Sequence, residues 1–165
     1  MKQKTLVMIR HAKSDWVDTS LPDHDRPLNK RGERDAPMMA ELLSELIKRP
    51  DILIASTATR AQQTANAFIH KLDPRTYTSE QRLYEASVEN ILSVIKNIPT
   101  DAHIAVLVGH NPGFTSTVEH LTTTPLLNMP TCSIAVMKLI VDEWSDVGTG
   151  TATLSAFEVP RDHHK

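Results

Sequence analysis

The stretch Leu6-Val-Met-Ile-Arg10-His11-Ala12-Lys13-Ser14 decides how this chain is organised. Four apolar residues run directly into an arginine and a histidine. An apolar run of this kind marks a strand buried on both faces, and open α/β sheets bind ligands just beyond their strand ends. The stretch therefore reads as a strand, Thr5–Ile9, that delivers Arg10 and His11 to the edge of a sheet. Ile104-Ala-Val-Leu-Val-Gly-His110-Asn-Pro-Gly113 repeats the arrangement, with a strand over Ile104–Val108 delivering His110.

Between these two places the chain alternates strand and helix. Residues 12–29 are polar and broken by Pro22 and Pro27, and so predict a long loop. A long loop straight after a site-bearing strand is more often functional than filler. Ala36, Met39, Leu42, Leu43, Leu46 and Ile47 then form one helical stripe that ends at Pro50. Asn29 is available as its cap, but Gly32 and Pro37 weaken the first turns and put the regular start near Asp35. A second buried strand covers Asp51–Ala55. Thr59 and Gln62 have the spacing of a capping box, which sets Arg60 at the first position of the next helix. Asp73-Pro74 closes that helix, and Thr76–Thr78 follows as a short strand. Leu83–Ala86 is a connection, and Ser87 caps a helix carrying Ile91, Leu92, Val94, Ile95 and Ile98. After His110, Asn111 reads as a cap and Pro112 as the first residue of a helix running to about Leu121. Residues 122–131 form a loop. Ile134–Val141 and Thr151–Val159 predict an antiparallel hairpin turning through Asp146–Gly150. The expected fold is a three-layer α/β/α sandwich whose mostly parallel central sheet ends in an antiparallel edge hairpin. It is one domain over residues 1–165, with 161–165 as a frayed tail.

The bulk numbers bound the function. The chain has 165 residues, 40% apolar and 23% charged, which suits one globular domain. A net charge of −2 argues against nucleic acid as the main partner. The one cysteine, Cys132, permits no internal disulfide and fits a reducing, cytoplasmic setting. No apolar run approaches membrane-spanning length, and the one after Lys2 and Lys4 is too short for a signal peptide.

Three strand-to-helix junctions carry unusual polar residues: Arg10 with His11, Arg60, and His110. If their strands are parallel neighbours, the junctions share one sheet edge and the four side chains converge. Helix starts there add free N–H groups and a positive dipole end. Arginine forks match phosphate oxygens in pairs. A cation at a helix start is unfavourable without an anion beside it, so Arg60 reads as a phosphate ligand rather than a merely solvated residue. Histidine adds a nucleophile: a neutral His11 can take a phosphoryl group and pass it to water. Both arginines and a protonated His110 then stabilise the transferring oxygens, with no metal or other cofactor needed.

These residues resemble a known family. Arg10-His11-Ala12, Arg60 with Gln63-Thr64-Ala65, and Gly109-His110-Asn111-Pro112-Gly113 look like the histidine phosphatase (phosphoglycerate mutase-like) superfamily. The first motif there is usually Arg-His-Gly, and alanine is a variant in the branch of SixA-type phosphohistidine phosphatases. Arg10-His-Ala-Lys-Ser14, Asp25-Arg-Pro-Leu28, Gly32-Glu-Arg-Asp-Ala36, Val108-Gly-His-Asn-Pro112 and Phe157-Glu-Val-Pro160 also resemble that branch. The resemblance implies that His11 is the phosphorylated nucleophile. It implies a phosphate pocket of Arg10, Arg60 and His110, with Arg26 as a further contact. Glu85 stands where relatives that cleave esters place an acidic proton donor. Only about one helix fits between Glu85 and Ile104, so no large insertion lids the pocket. That favours phosphohistidine on a protein, such as a phosphotransfer domain, as substrate.

The alternatives are a phosphatase of small phosphate esters and, outside enzymes, a phosphate-recognition module on the same fold. Lys13, Arg26, Lys30, Arg31 and Arg34 form a basic run, read either as a solvated face or as steering for an acidic phosphorylated partner. Asp23-His24-Asp25 has metal-ligand residue types without a zinc spacing. No Gly-rich phosphate loop or Gly-x-Ser-x-Gly turn is present.

Overall fold

A computed structural model describes residues 3–164. Its centre is β1 (Thr5–Arg10), whose Leu6, Val7, Met8 and Ile9 are fully buried. Side chains alternate across a strand, so Val7 and Ile9 face one layer and Leu6 and Met8 the other. Burying each contributes about 1.5–3 kcal/mol. Around β1 stand β2 (Ile52–Ala55), β3 (Thr76–Ser79), β4 (Ile104–Gly109), β5 (Ile134–Leu139) and β6 (Ala152–Glu158). The sheet order is β3-β2-β4-β1-β5-β6. β1 to β4 run parallel; β5 pairs antiparallel with both β1 and β6.

Two helices cover each face. α1 (Lys30–Leu46) and α2 (Thr59–Leu72) bury Ala36, Met39, Leu43 and Phe68 against Val7, Ile9, Val106 and Val108. α3 (Val88–Lys96) and α4 (Gly113–Thr122) bury Ile91, Ile95, Phe114 and Val118 against Leu6, Met8 and Leu107. The predicted α/β/α sandwich with an antiparallel edge is what forms. Among the described residues, no helix is long and apolar enough to cross a membrane.

Four local expectations are corrected. First, α1 starts at Lys30, not near Asp35. The Asn29 side chain accepts the Gly32 N–H at 2.9 Å. Gly32 serves a close approach: a Cβ there would lie 2.2 Å from the Lys13 carbonyl. Pro37 is tolerated because it and Glu33, whose carbonyl loses a partner, both face solvent. Second, α2 has no capping box. Ala58 is its cap, Thr59 its first residue and Arg60 its second, while the Gln62 amide donates to the Ser56 carbonyl. Third, Pro112 takes the cap position of α4, yet Asn111 still accepts the Thr115 N–H at 3.2 Å.

The fourth correction concerns the ends of the hairpin and of the chain. β5 stops at Leu139 and β6 begins at Ala152. The connection between them folds into a 3-10 turn, Trp144–Asp146, that drives Trp144 wholly into the core, where its indole N–H donates to Ala102. The expected frayed tail makes contacts up to the last described residue. His163 reaches Glu158 and His164 reaches the buried Asp35, each at 2.9 Å; Lys165 lies outside the described residues.

Candidate active site

Parallel pairing brings the chemistry-bearing ends together. Arg10 pairs with Gly109 in register, so His11 and His110 both emerge one residue later on the same sheet edge. Ala55 pairs with Val108, which places Ser56 beside them and the start of α2 just beyond. The His11 N–H donates to the Gly109 carbonyl, and the Ala12 N–H to Thr64 Oγ1 on α2. Thr64 in turn donates to the Arg60 carbonyl, so one threonine fastens α2 to the exit of β1.

His11 and His110 are both 7% exposed, and their ring centres lie 5.1 Å apart. His11 Nδ1 is 2.7 Å from the Ala12 carbonyl. A carbonyl only accepts, so Nδ1 carries the hydrogen and Nε2 keeps its lone pair. Arg60 Nε points at that lone pair from 3.4 Å. On the other ring, His110 Nε2 sits 2.7 Å from Ser56 Oγ. The serine hydroxyl can donate to it, which puts the ring hydrogen on Nδ1. His110 Nδ1 and Arg10 Nε are both buried without a partner. Buried donors are normally satisfied, so two unpaired groups lining one cavity with a free histidine nitrogen suit an anion as partner. Arg10 is otherwise held by the Met129 carbonyl at 2.9 Å.

The charge balance agrees. Burial, then the charge of Arg60, pushes the Arg10 guanidinium below its ordinary range. Burial dominates at His11 and lowers it to about 4; the Ala12 carbonyl opposes this, and Arg60, Arg10 and Arg26 add to it. Burial, then His11 and Arg60, lowers His110 to about 3. Both shifts favour neutral rings. A bound dianion would raise both histidines.

Arg26, the further contact that the resemblance implies, is buried and lines the cavity. Its Nη1 donates to Ser14 Oγ at 2.6 Å, and its guanidinium stacks 3.4 Å above the exposed Trp16 ring. The other cations of the basic run divide. Arg31 and Arg34 turn to Asp35, while Lys13 and Lys30 line a groove beside Trp16 and Val17. Glu85 is exposed on the wall of the neighbouring cleft at φ +50°, a left-handed conformation that costs a non-glycine residue strain. Gly113 lets α4 reach that wall, since a Cβ there would stand 2.4 Å from the Ala86 carbonyl. A cavity of about 280 Å³ holds Arg10, His11, Arg26, Arg60 and His110. It shares Arg60, His110 and Asn111 with a cleft of about 720 Å³ that includes Asp23 and Glu85.

Sequence reasoning missed three residues here. Ser56 orients His110, although it showed only as a serine after a strand. Asp23 accepts from Arg26 and Arg60, and Tyr84 donates its hydroxyl to Asp23 at 2.6 Å. The run Asp23-His24-Asp25-Arg26 was the available signal, but it suggests metal ligands rather than a partner for arginine. Among the described residues, no three His, Cys, Asp or Glu side chains gather as a metal site.

The arrangement gathers arginines around a nitrogen nucleophile, which suits transfer of a phosphoryl dianion. A sequence model of the histidine phosphatase superfamily (branch 1) matches residues 6–96, a span that carries Arg10, His11, Arg26, Arg60 and Glu85. The chain belongs to this superfamily. An uncharacterised Mycobacterium tuberculosis protein is 34% identical over 164 residues, covering 93% of this chain and 100% of that protein. The structure resembles a candidate phosphohistidine phosphatase SixA from Agrobacterium tumefaciens, with TM-score 0.83, 29% identity, and 97% and 100% of the two chains covered. A candidate SixA from Nakamurella multipartitia gives TM-score 0.82, 26% identity, and 97% and 98% coverage. Family and structural neighbours together support a phosphatase.

Proposed function

We propose that the protein removes phosphate from phosphohistidine on another protein, such as a phosphotransfer domain, through a phosphohistidine formed on its own His11. The observation that carries this reading is the tautomer of His11. Its Nε2 lone pair faces Arg60, with the orphan donors of Arg10 and His110 beside it. His11 Nε2 attacks phosphorus, and the bond from phosphorus to the substrate nitrogen breaks. The electron pair of that bond stays with the departing imidazole, which leaves as a neutral ring when its other nitrogen is already protonated. Water then attacks the phosphoryl-His11, releasing inorganic phosphate and restoring the free ring. Arg10, Arg60 and His110 Nδ1 hold the transferring oxygens, and Arg26 braces the rim. The protein substrate is favoured by the mouth of the site. Trp16, which lines the cavity, and Val17 beside it are large apolar side chains left exposed at 65% and 89%. Exposed apolar clusters mark macromolecular contact. A cytoplasmic location fits that substrate and the free, buried Cys132.

The test is to trap labelled phosphate on the protein and to compare turnover of a phosphohistidine protein with a panel of phosphate esters. His11→Ala loses the label. Faster turnover of the esters favours the second reading, a small-ester phosphatase. That reading draws on Glu85, whose carboxylate lines the larger cleft as a proton donor would. Glu85→Gln then slows ester cleavage and spares a phosphoramidate.

A further inference from the structure

We infer that Asp23 is the positioning residue of the phosphoryl pocket: its carboxylate clamps the Arg26 and Arg60 forks together and stays in place when an anion binds. The inference rests on the proposed phosphatase chemistry, and it concerns a residue that makes no hydrogen bond to His11, His110 or Arg10.

The two carboxylate oxygens divide their work. Oδ1 accepts from Arg26 Nε at 3.1 Å and from Arg26 Nη2 at 2.8 Å. Oδ2 accepts from Arg60 Nη2 at 3.0 Å and from the Tyr84 hydroxyl at 2.6 Å. The Asp23 backbone carbonyl takes Arg60 Nη1 at 2.7 Å. Both outer nitrogens of Arg60 are thus anchored to one residue, which leaves Nε as the edge turned to His11. Arg26 is fixed the same way, with Nη1 left for Ser14. Tyr84 stands edge-on to both His24 and His110, with ring centres 4.8 and 5.4 Å away. One carboxylate therefore joins the loop after β1, the first turn of α2 and the connection before α3.

A carboxylate between arginines has two readings. It can be a plug that occupies the phosphate seat until substrate displaces it, or a fixed part of the wall. The orphan donors decide. A plug would satisfy Arg10 Nε and His110 Nδ1, and both remain buried and unpaired. Asp23 lines the neighbouring cleft rather than the cavity that holds Arg10, His11 and His110. Its role is also electrostatic. Arg26 and Arg60 side chains are only 8% and 7% exposed, and their mutual repulsion needs a local anion. Partial burial raises the Asp23 carboxyl, but hydrogen bonds from Tyr84, Arg26 and Arg60 outweigh this and hold it well below the usual carboxylate range.

The experiment uses the full chain and the variants Asp23→Asn, Asp23→Glu and Tyr84→Phe. Orthovanadate binding is read by fluorescence, since Trp16 stacks on Arg26 while Trp144 is fully buried. Turnover is measured on a phosphohistidine protein. For Asp23→Asn the expected result is vanadate binding weakened about tenfold and kcat/KM lowered roughly 10–100-fold, the scale of a misplaced catalytic group. Asp23→Glu recovers part of the loss. Tyr84→Phe keeps both forks and loses about threefold, so it carries the test if Asp23→Asn does not fold. Tighter vanadate binding in Asp23→Asn identifies a plug and overturns the inference, as do unchanged binding and turnover. The vanadate measurement stands even if the wild-type protein prefers another phosphate compound.

Discussion

Ser56→Ala removes one oxygen from the floor of the site, and its effect can be worked out from the geometry. Ser56 is fully buried, with Oγ 2.7 Å from His110 Nε2 and 3.2 Å from the Ala58 N–H that it accepts. Alanine leaves Nε2 without a partner in a buried setting. Losing one partner of a buried hydrogen bond costs about 1–2 kcal/mol. The larger consequence is the tautomer. With serine donating to Nε2, the ring hydrogen lies on Nδ1, ready for a phosphoryl oxygen; without it, both tautomers become available. If the cost falls on the transition state, 1–2 kcal/mol is about a five- to thirtyfold drop in kcat/KM. Steady-state kinetics on a phosphohistidine protein reads this, alongside urea unfolding. The drop should lie mainly in kcat, and Ser56→Thr should retain part of the activity. Wild-type kcat/KM in Ser56→Ala would refute the role given to His110 Nδ1. So would a loss wholly explained by lower stability.

Three further outcomes are expected. His11 and His110 are lowered to about 4 and about 3, so between these values and the unfolded value near 6.5 the unfolded chain binds more protons. Stability therefore rises with pH across that window and is lost on acidification, with Asp23 adding a loss at still lower pH; chemical denaturation at pH 7, 5.5 and 4.5 measures the slope, and a flat profile contradicts buried neutral rings. Gly32→Ala gains roughly 1 kcal/mol of helix propensity but puts a Cβ 2.2 Å from the Lys13 backbone, a clash costing about 1–3 kcal/mol; the net result is a lower unfolding midpoint and slower turnover, and a more stable, fully active variant would contradict the packing. Trp144→Ala empties a fully buried site and loses the bond to Ala102, for about 3–5 kcal/mol by urea titration; a loss under about 1 kcal/mol would show that the connection does not complete the core.

What the sequence revealed and what it hid follow from how far each signal reaches along the chain. The apolar runs of β1 and β4, each ending in a histidine, carry their meaning locally, and parallel register does the rest. The pairing of Asp23 with Arg60 and Tyr84 spans 37 and 61 residues, so no local pattern announces it. The start of α1 was misjudged because glycine and proline are weak helix formers on their own. Gly32 is required by a neighbour 19 positions earlier, and Pro37 faces water. The capping-box spacing at Thr59 and Gln62 failed for a similar reason: the Gln62 amide bonds Ser56 and Ser79. Trp144 falls between the predicted strand and its turn, with no periodic pattern to mark it, and its burial comes from packing against α3.

The position of β1 in the sheet also fixes when the site can exist during synthesis. Arg10 and His11 are made well before the strands that flank them: β4 and β5 follow roughly a hundred residues later. Until about residue 109 has emerged, β1 is a sticky apolar segment without either neighbour, and until about residue 139 it lacks β5. Such long-range pairing slows folding and exposes the nascent chain to wrong partners. The growing chain therefore holds its nucleophile but no pocket, and reactivity arrives only once β4 and His110 have been made.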